Sequence, residues 1–586
     1  HAGIKPFQSY KYGVEHELDK MAYVDSDQVR VRYSLDPTTE SPMLYLDYFT
    51  FTCWRQLHYR GGNLAFTIVP SQMTTTIAEV QVLDLGVSSY CWDVTNPIHP
   101  FIQPIHHQGD VGVFGIEGPD AKRFMIFDAS AVKTVASAYP IPNQNLHAIT
   151  DAEMLVISPR LFWNQATEIA DYHHDVDDMD CLVVDINEIY NEFGTGMSDP
   201  TAMRDFIRMV YLRSNAHLKY VLLMGKGTHD YRDIKGFGNN YVPTYENMAT
   251  PWYEVGSICT DDYFALMDLS EGDDCAGRVD IGIGRFPITT PEQGDDVIQK
   301  IKHYDNIRNA QGLWKNCHFF MADNDSKTYM NYCQDLDRII DTSCHVMTSK
   351  KLYVDSYPVV KTSSGETVPQ AHDALMKAFD DGFLVMSYTG HGGVKGLMRW
   401  PILSSSDIAA MDNYDRLPFV HTATCEFSKF DNPSLVSAGE QMFLNPNGGA
   451  IAMFTTVRPT QATYNHLLSK SFHFHVYERE DGQPLRFGDI VRRSKSDPKY
   501  YSANNLGYFL FGDPALRLGG TSCVVKTLKI NNINVKDYSD DEEDYYPPKK
   551  KINLHNIKFD LPPEEYETYN KGKNVYKRRP RDKAHA

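Results

Sequence analysis

The sequence predicts an α/β protein: a parallel-sheet domain built as two α/β halves, preceded by a β-sandwich-like module. Three observations carry this. Short alternating segments fill the first 140 or so residues, apolar strands alternate with helical stretches from about Leu155, and near residue 390 two apolar runs flank a capped short helix. At 586 residues the chain is too long for one core, and domain-size scaling gives about three or four units. The reading divides it at 1–140, 141–315, 316–520 and 521–586.

In the first segment, residues 43–49, 63–68 and 79–83 alternate or run apolar, punctuated by Gly61-Gly62 and Pro70. That is the texture of short strands bounded by turns, with no visible chemistry. The first α/β half opens with a strand at 154–157 and a helix over 161–173. A strand at 182–185 precedes Ser198-Asp199-Pro200, which opens a helix to about Arg213, and a third strand lies at 220–225. The βαβαβ order calls for a parallel sheet wrapped by helices. A helix over 291–308 closes this half.

Several polar clusters in this half are candidates for function. Asp171, His173, His174, Asp175, Asp177 and Asp178 crowd one helix end without zinc spacing, so they read as a solvated terminus. His229 and Asp230 follow the 220–225 strand at an edge that can line a cleft. The acidic loops Thr260-Asp261-Asp262-Tyr263 and Glu271-Gly272-Asp273-Asp274 are candidate oxygen cages for structural calcium, although neither has EF-hand spacing. Asp280 to Pro287 is glycine-rich but is no phosphate loop, because Pro287 stands where a helix would have to start.

The second half starts with a strand at 318–323, and its chemistry lies further on. A strand at 383–386 runs into Ser387-Tyr388-Thr389-Gly390-His391-Gly392-Gly393, and another at 417–420 runs into His421-Thr422-Ala423-Thr424-Cys425-Glu426. Between them Ser404-Ser405-Ser406-Asp407 caps a short helix. This βαβ unit presents His391 and Cys425 together at the C-terminal ends of parallel strands. An imidazole beside a thiol can take its proton and hold the thiolate, so Cys425 attacks and His391 relays the proton. The amides of Gly392 and Cys425 can then receive a substrate oxyanion, because glycine leaves the backbone bare. Acyl transfer through a thioester needs no cofactor. A turn at 445–449, a strand at 450–455 and a helix after Thr463 come next; His466 and His473 share a face of that helix, and helix faces often carry histidine without function.

Residues 388–393 and 422–431 resemble the active-site segments of the gingipain family of cysteine peptidases. The likeness continues through Ser437-Ala438-Gly439-Glu440, residues 448–456, Phe511-Gly512-Asp513-Pro514-Ala515-Leu516-Arg517 and the Ile283-Gly284-Arg285-Phe286 strand, covering about 155–518. It implies a caspase-like fold, Cys425 as nucleophile, His391 as base and acid, and an acidic residue after the 318–323 strand that orients the histidine. Asp323 and Asp325 are both candidates, with Asp323 standing in the site reading. Arginine-specific members carry a specificity carboxylate in the same loop, whereas 326–333 has none, so cleavage after Arg or Lys is not expected.

The resemblance is to a sortase branch serving the bacterial type IX secretion system. It implies cleavage of the C-terminal signal domain from secreted cargo, and transfer of the acyl group to an amine of a lipopolysaccharide. The setting implied is the outer membrane and cell surface, with other secretion components as partners. Two alternatives stand beside it: a hydrolytic gingipain-like endopeptidase, and a non-catalytic assembly component of the same fold.

Composition bounds the rest. The 57 basic and 76 acidic side chains give a net charge of −19, which argues against a nucleic-acid partner. No run approaches the roughly 20 apolar residues that span a bilayer as a helix. The chain opens on His1-Ala2-Gly3-Ile4 without an apolar leader, so it reads as a fragment or processed product lacking its signal peptide. The ten cysteines form no CxxC pair. Beyond Thr521, charge blocks and Pro547-Pro548 predict a further β segment with a poorly packed tail.

Overall fold

In the computed structural model the described residues are 23, 30–33, 49–73, 75–118, 120–247, 257–272, 275–306, 311–363, 365–520, 529–530 and 533–534. The expected strand at 43–49, apart from Phe49, and nearly all of the charged tail lie outside them. The chain divides into two compact units, residues 19–143 and the remainder. Among the described residues no helix is long and apolar enough to cross a membrane.

Both sheets of the smaller unit are antiparallel, with one isolated parallel bridge between His58 and Leu83. One sheet orders Asn63–Ile68, Lys122–Phe127, Tyr90–Asp93 and Phe101–Ile102, and a second orders Ile77–Val82, Val111–Glu117 and His106–Gln108. Leu64, Val80, Val82, Phe114, Phe124 and Ile126 form one core shared by both sheets. Period-two alternation in the sequence becomes one buried and one exposed face.

The larger unit is organised by a ten-stranded sheet. In chain order its strands are β1 Met154–Ser158, β2 Cys181–Asp185, β3 Tyr220–Met224, β4 Gly282–Phe286, β5 Cys317–Ala322, β6 Thr348–Tyr353, β7 Val385–Thr389, β8 Phe419–Ala423, β9 Ala452–Thr456 and β10 Tyr508–Phe511. The spatial order is β6-β5-β7-β8-β9-β10-β4-β3-β1-β2. Every neighbouring pair is parallel except β9 with β10. The sheet is therefore two five-stranded parallel halves running in opposite directions, and β10, last in sequence, takes the direction of the first half.

Most of these strands are buried on both faces, so they read as continuous apolar runs. The helices are α1 Trp163–Asp177, α2 Ile186–Phe193, α3 Pro200–Arg213, α4 Pro291–Asp305, α5 Lys327–Ser343, α6 Pro369–Asp381, α7 Ser405–Ala409, α8 Ala438–Leu444, α9 Ala462–His475 and α10 Phe487–Ser496. Asp185, Asp199, Thr290 and Ser326 cap α2 to α5 with their side chains, and Pro200 and Pro291 occupy first turns where a missing N–H costs nothing.

Two sequence readings change here. β7 and β8 start later and end later than their apolar runs, because Ser387, Tyr388, Thr389 and His421 also pair on both sides and Thr422 pairs with Tyr388. The crossover between them is more than one helix: Gly392–Gly393, Gly396–Leu397 and Leu403–Ser404 form a small antiparallel sheet before α7. Its sequence is too short and glycine-rich to carry a period.

The core under β5, β7 and β8 is partly polar. His318 binds the Tyr477 hydroxyl (2.8 Å) and Ser387 Oγ (3.0 Å), Ser387 Oγ binds His473 (2.9 Å), and His421 binds Ser469 Oγ (2.8 Å). His473 therefore faces inward. Burial lowers His421 to about 4 and His473 to about 3, so both rings stay neutral. His173 is the reverse case. Burial alone would lower it, yet Asp513 (2.6 Å) and Asp177 (2.7 Å) flank the ring and raise it to about 9. His173 and Asp177 thus tie α1 to the Gly512-Asp513-Pro514 turn instead of forming a solvated helix end.

These shifts set opposite pH slopes around an unfolded histidine value of about 6.5. Below it the unfolded chain binds protons that His421 and His473 refuse, so stability is lost as pH falls from about 6.5 toward 4. Above it folded His173 keeps a proton that the unfolded chain gives up, so stability is lost as pH rises toward about 9. Above pH 7 the His173 loss is opposed by Lys300, whose burial lowers it to about 7 and which gains stability as pH rises. The acid side is the clean test: melting temperature measured by calorimetry is expected to fall as pH drops from about 6.5 toward 4, and a melting temperature unchanged over that range would contradict this.

Candidate active site

Three adjacent strands, β5, β7 and β8, bring the site residues together by register. Ala322 pairs with Thr389, and Thr389 pairs with Ala423. The ladder runs on past the strand ends: Asp323 N–H donates to the Thr389 carbonyl (3.1 Å), and Gly390 N–H donates to the Ala423 carbonyl (3.3 Å). Two residues beyond the Thr389–Ala423 pair on their two strands stand His391 and Cys425. Gly390 is required where it stands, since a Cβ there would lie 2.3 Å from Asp323 Cβ and 2.6 Å from the Tyr388 hydroxyl.

The two candidate acids do different work. Asp325 Oδ2 lies 2.9 Å from His391 Nε2, whereas buried Asp323 accepts the His391 backbone N–H at 2.9 Å and does not touch the ring. The acid on the imidazole is therefore Asp325, and Asp323 fixes the peptide that carries the imidazole. A carboxylate can only accept, so the Nε2 facing Asp325 carries the proton. Nδ1 is left bare as a base. The Tyr329 hydroxyl, from the first turn of α5, also approaches Nε2 at 3.4 Å. Tyr388 and the Met398 amide both donate to the His391 carbonyl, which pins the turn.

Cys425 is half-buried and its thiol is not disulfide-bonded. Burial pushes the thiol up from its ordinary value, and hydrogen bonding at Thr460 pulls it back. Sγ lies 3.3 Å from the Thr460 N–H and 3.5 Å from the Thr460 carbonyl. The next residue, Glu426, has a φ of +47°, the left-handed region, so the chain turns sharply just after the thiol. Gly392 faces Leu397 across its hairpin, and the Met398 amide bonds the His391 carbonyl in the neighbouring pair. Alternation along an antiparallel ladder then directs the Gly392 N–H away from its strand partner.

Other sequence candidates are placed elsewhere. Asp261 is locked bidentately to fully buried Arg285, with both oxygens at 2.7 Å, and Asp262 pairs with Lys495. Those two carboxylates are engaged by protein cations in the loop considered for calcium. Glu271 accepts the Arg278 and Asp268 amides, while Asp273 and Asp274 lie outside the described residues. His229 sits 3.7 Å from Asp431, a residue of the segment after Cys425, and Asp230 caps its own turn at Ile234 and Lys235. His466 stacks on Tyr332 at 3.9 Å. Glu246, Cys259 and Asp431 bring one ligand atom each within 4.8 Å of one another, but Arg458 reaches into the group at 3.1 Å from Glu246 and 2.7 Å from Asp431, making it an ion-pair cluster.

Reading the sequence missed Thr460 and Tyr329, and could not separate Asp325 from Asp323. Thr460 lies four residues past β9, and only the adjacency of β9 and β8 in the sheet brings it to the thiol. No residue type or spacing signals that.

Residues 147–519 match the model for Peptidase family C25. Among solved structures, the complex of pro- and mature domains of RgpB from Porphyromonas gingivalis is similar at 16% identity, covering 62% of this chain and 79% of that one with a TM-score of 0.49. Gingipain R (RGPB), an Arg-specific cysteine proteinase, is similar at 16% identity, covering 65% and 80% with a TM-score of 0.49. Dimeric latent PorU from Porphyromonas gingivalis is similar at 20% identity, covering 82% of this chain but 41% of PorU with a TM-score of 0.48. No curated protein matches the sequence. The family match spans well over half of the chain and includes both the histidine and cysteine segments: the chain belongs to peptidase family C25, the gingipain family of cysteine peptidases.

Proposed function

We propose that this peptidase cleaves by way of a Cys425 thioester and resolves the thioester with an amine, acting as a sortase on secreted cargo. The observation that carries the cleavage half is the pairing of His391 and Cys425 at adjacent strand ends, with Asp325 holding Nε2 and Nδ1 left as base. Nδ1 takes the thiol proton as Sγ bonds to the scissile carbonyl carbon. The oxyanion is received by the Gly392 and Cys425 amides. The C–N bond then breaks, and the leaving amine takes the proton from His391. An incoming amine attacks the thioester, gives a proton to His391, and the thiol is restored.

The cargo half of the reading rests on the resemblance to the type IX branch. Its substrate is a secreted protein with a C-terminal signal domain, its acceptor an amine of a lipopolysaccharide, its place the outer membrane surface beside other secretion components. Water in place of the amine makes the same machinery a hydrolase.

The test is mass spectrometry of a cargo protein bearing its C-terminal signal domain, incubated with the chain or with Cys425→Ala, with and without added amine. A cut that needs Cys425 and leaves the amine on the new terminus is the expected result. A free acid in excess amine replaces the sortase by a hydrolase, and cleavage surviving in Cys425→Ala removes the mechanism.

The two acids separate by readout. Asp325→Asn, at an exposed position, is expected to lower kcat by about 10-fold or more through loss of the ring's tautomer, while stability stays within about 0.5 kcal/mol. Asp323→Ala leaves the His391 N–H unpaired and is expected to cost about 1–3 kcal/mol in urea unfolding. Equal stability losses in both variants would show that their roles are not divided this way.

A further inference from the structure

Both hydrogen bonds of the Cys425 sulfur go to a single residue, Thr460, and they favour opposite charge states. The Thr460 carbonyl, 3.5 Å away, accepts from the neutral thiol and repels a thiolate. The Thr460 N–H, 3.3 Å away, donates to sulfur in either state and more strongly to the anion. Which contact dominates depends on where this one residue is held.

It is held by a relay of side chains that the cleavage mechanism does not use. Asn504 Nδ2 donates to Asn465 Oδ1 (2.8 Å), Asn465 Nδ2 donates to Thr460 Oγ1 (2.9 Å), and Thr460 Oγ1 donates to the Thr424 carbonyl (2.8 Å). That carbonyl belongs to the peptide leading into Cys425, and it also accepts from Thr456 Oγ1 (2.8 Å). At the other end, Asn504 Oδ1 accepts the Gln461 N–H (2.9 Å), so the loop is gripped at Thr460 and at the residue after it. Asn465 is almost fully buried. A hydrogen-bonded chain anchored on buried Asn465, with Thr460 and Asn504 half-buried, restrains the loop, because breaking a link at Asn465 strands a buried polar group.

We propose that Thr460 is a positioning residue for the nucleophile: its amide holds the Cys425 thiolate, and the Asn504–Asn465 relay through its hydroxyl sets that amide against the sulfur. This rests on Cys425 being the nucleophile. Thr460 need not touch substrate or the reacting carbonyl; it acts through the sulfur.

The relay is removed by Thr460→Val, which keeps the shape and loses the hydroxyl, and retained by Thr460→Ser. The pH dependence of Cys425 alkylation by iodoacetamide, read by mass spectrometry on the Cys425 peptide, reports the thiolate directly. Thr460→Val is expected to move the alkylation midpoint about one pH unit more alkaline. In peptidase assays on the signal-domain cargo it should lower kcat about 10-fold with KM nearly unchanged, and Thr460→Ser should restore both. A folded Thr460→Val with an unshifted midpoint overturns the proposal and leaves Thr460 a packing residue. If Thr460→Val does not fold, Asn504→Ala, at the outer end of the relay, is judged by the same midpoint. Cleavage that survives in Cys425→Ala would instead remove the nucleophile assignment, while the alkylation profile still reads what Thr460 does to the thiol.

Discussion

Parallel register among β5, β7 and β8 is the constraint on which the site depends. Parallel strands end at the same edge of a sheet, so the loop leaving each strand emerges beside the loop leaving its neighbour. A register slip of one residue would move His391 away from Cys425 and turn Asp323 from the amide it accepts. The register is held from within by strands buried on both faces. It is also held by side chains that bridge strands: His318 to Ser387, and Thr422 to Thr455 at 2.8 Å. Polar cross-links of this kind specify a partner, which apolar packing alone does less well.

Buried charge performs a second function, tying loops to the sheet. Arg285 reaches Asp261 and the carbonyls of Gly225, Val242 and Pro243. Lys300 donates to the carbonyls of Phe443, Asn445 and Gly448, and its burial lowers it to about 7. Lys226 meets Glu440, whose other oxygen closes the capping box at Ser437. Such groups are costly to desolvate and add little net stability, but losing one partner leaves an uncompensated charge. They therefore act as specific fasteners. Ser437-Ala438-Gly439-Glu440 and Ile283-Gly284-Arg285-Phe286, prominent in the sequence, are fasteners of this kind and contribute no group to the cysteine site.

The two halves of the sheet run in opposite directions because β10 inserts antiparallel to β9 and parallel to β4. Strand ends of the first half therefore emerge at the other edge. Loops that leave that half still reach the cysteine segment, as His229 does by donating its N–H to the Asp431 carbonyl at 2.9 Å. The buried Arg458, salt-bridged to both Glu246 and Asp431, joins the same two regions.

By itself the sequence determined the α/β class, the alternation of strands and helices, and the placing of His391 and Cys425 just past the ends of adjacent strands. Those are local facts: period, cap residues, glycines, and a crossover of the right length between two apolar runs. Only the tertiary structure decided which acid meets the imidazole, because Asp323 and Asp325 differ by which way one turn points them. It alone decided that Thr460 holds the sulfur, that His173 and His473 are internal, and that β10 joins the first half. Each depends on which strands become neighbours, and sheet order is set by packing between residues hundreds of positions apart, where no local pattern reaches.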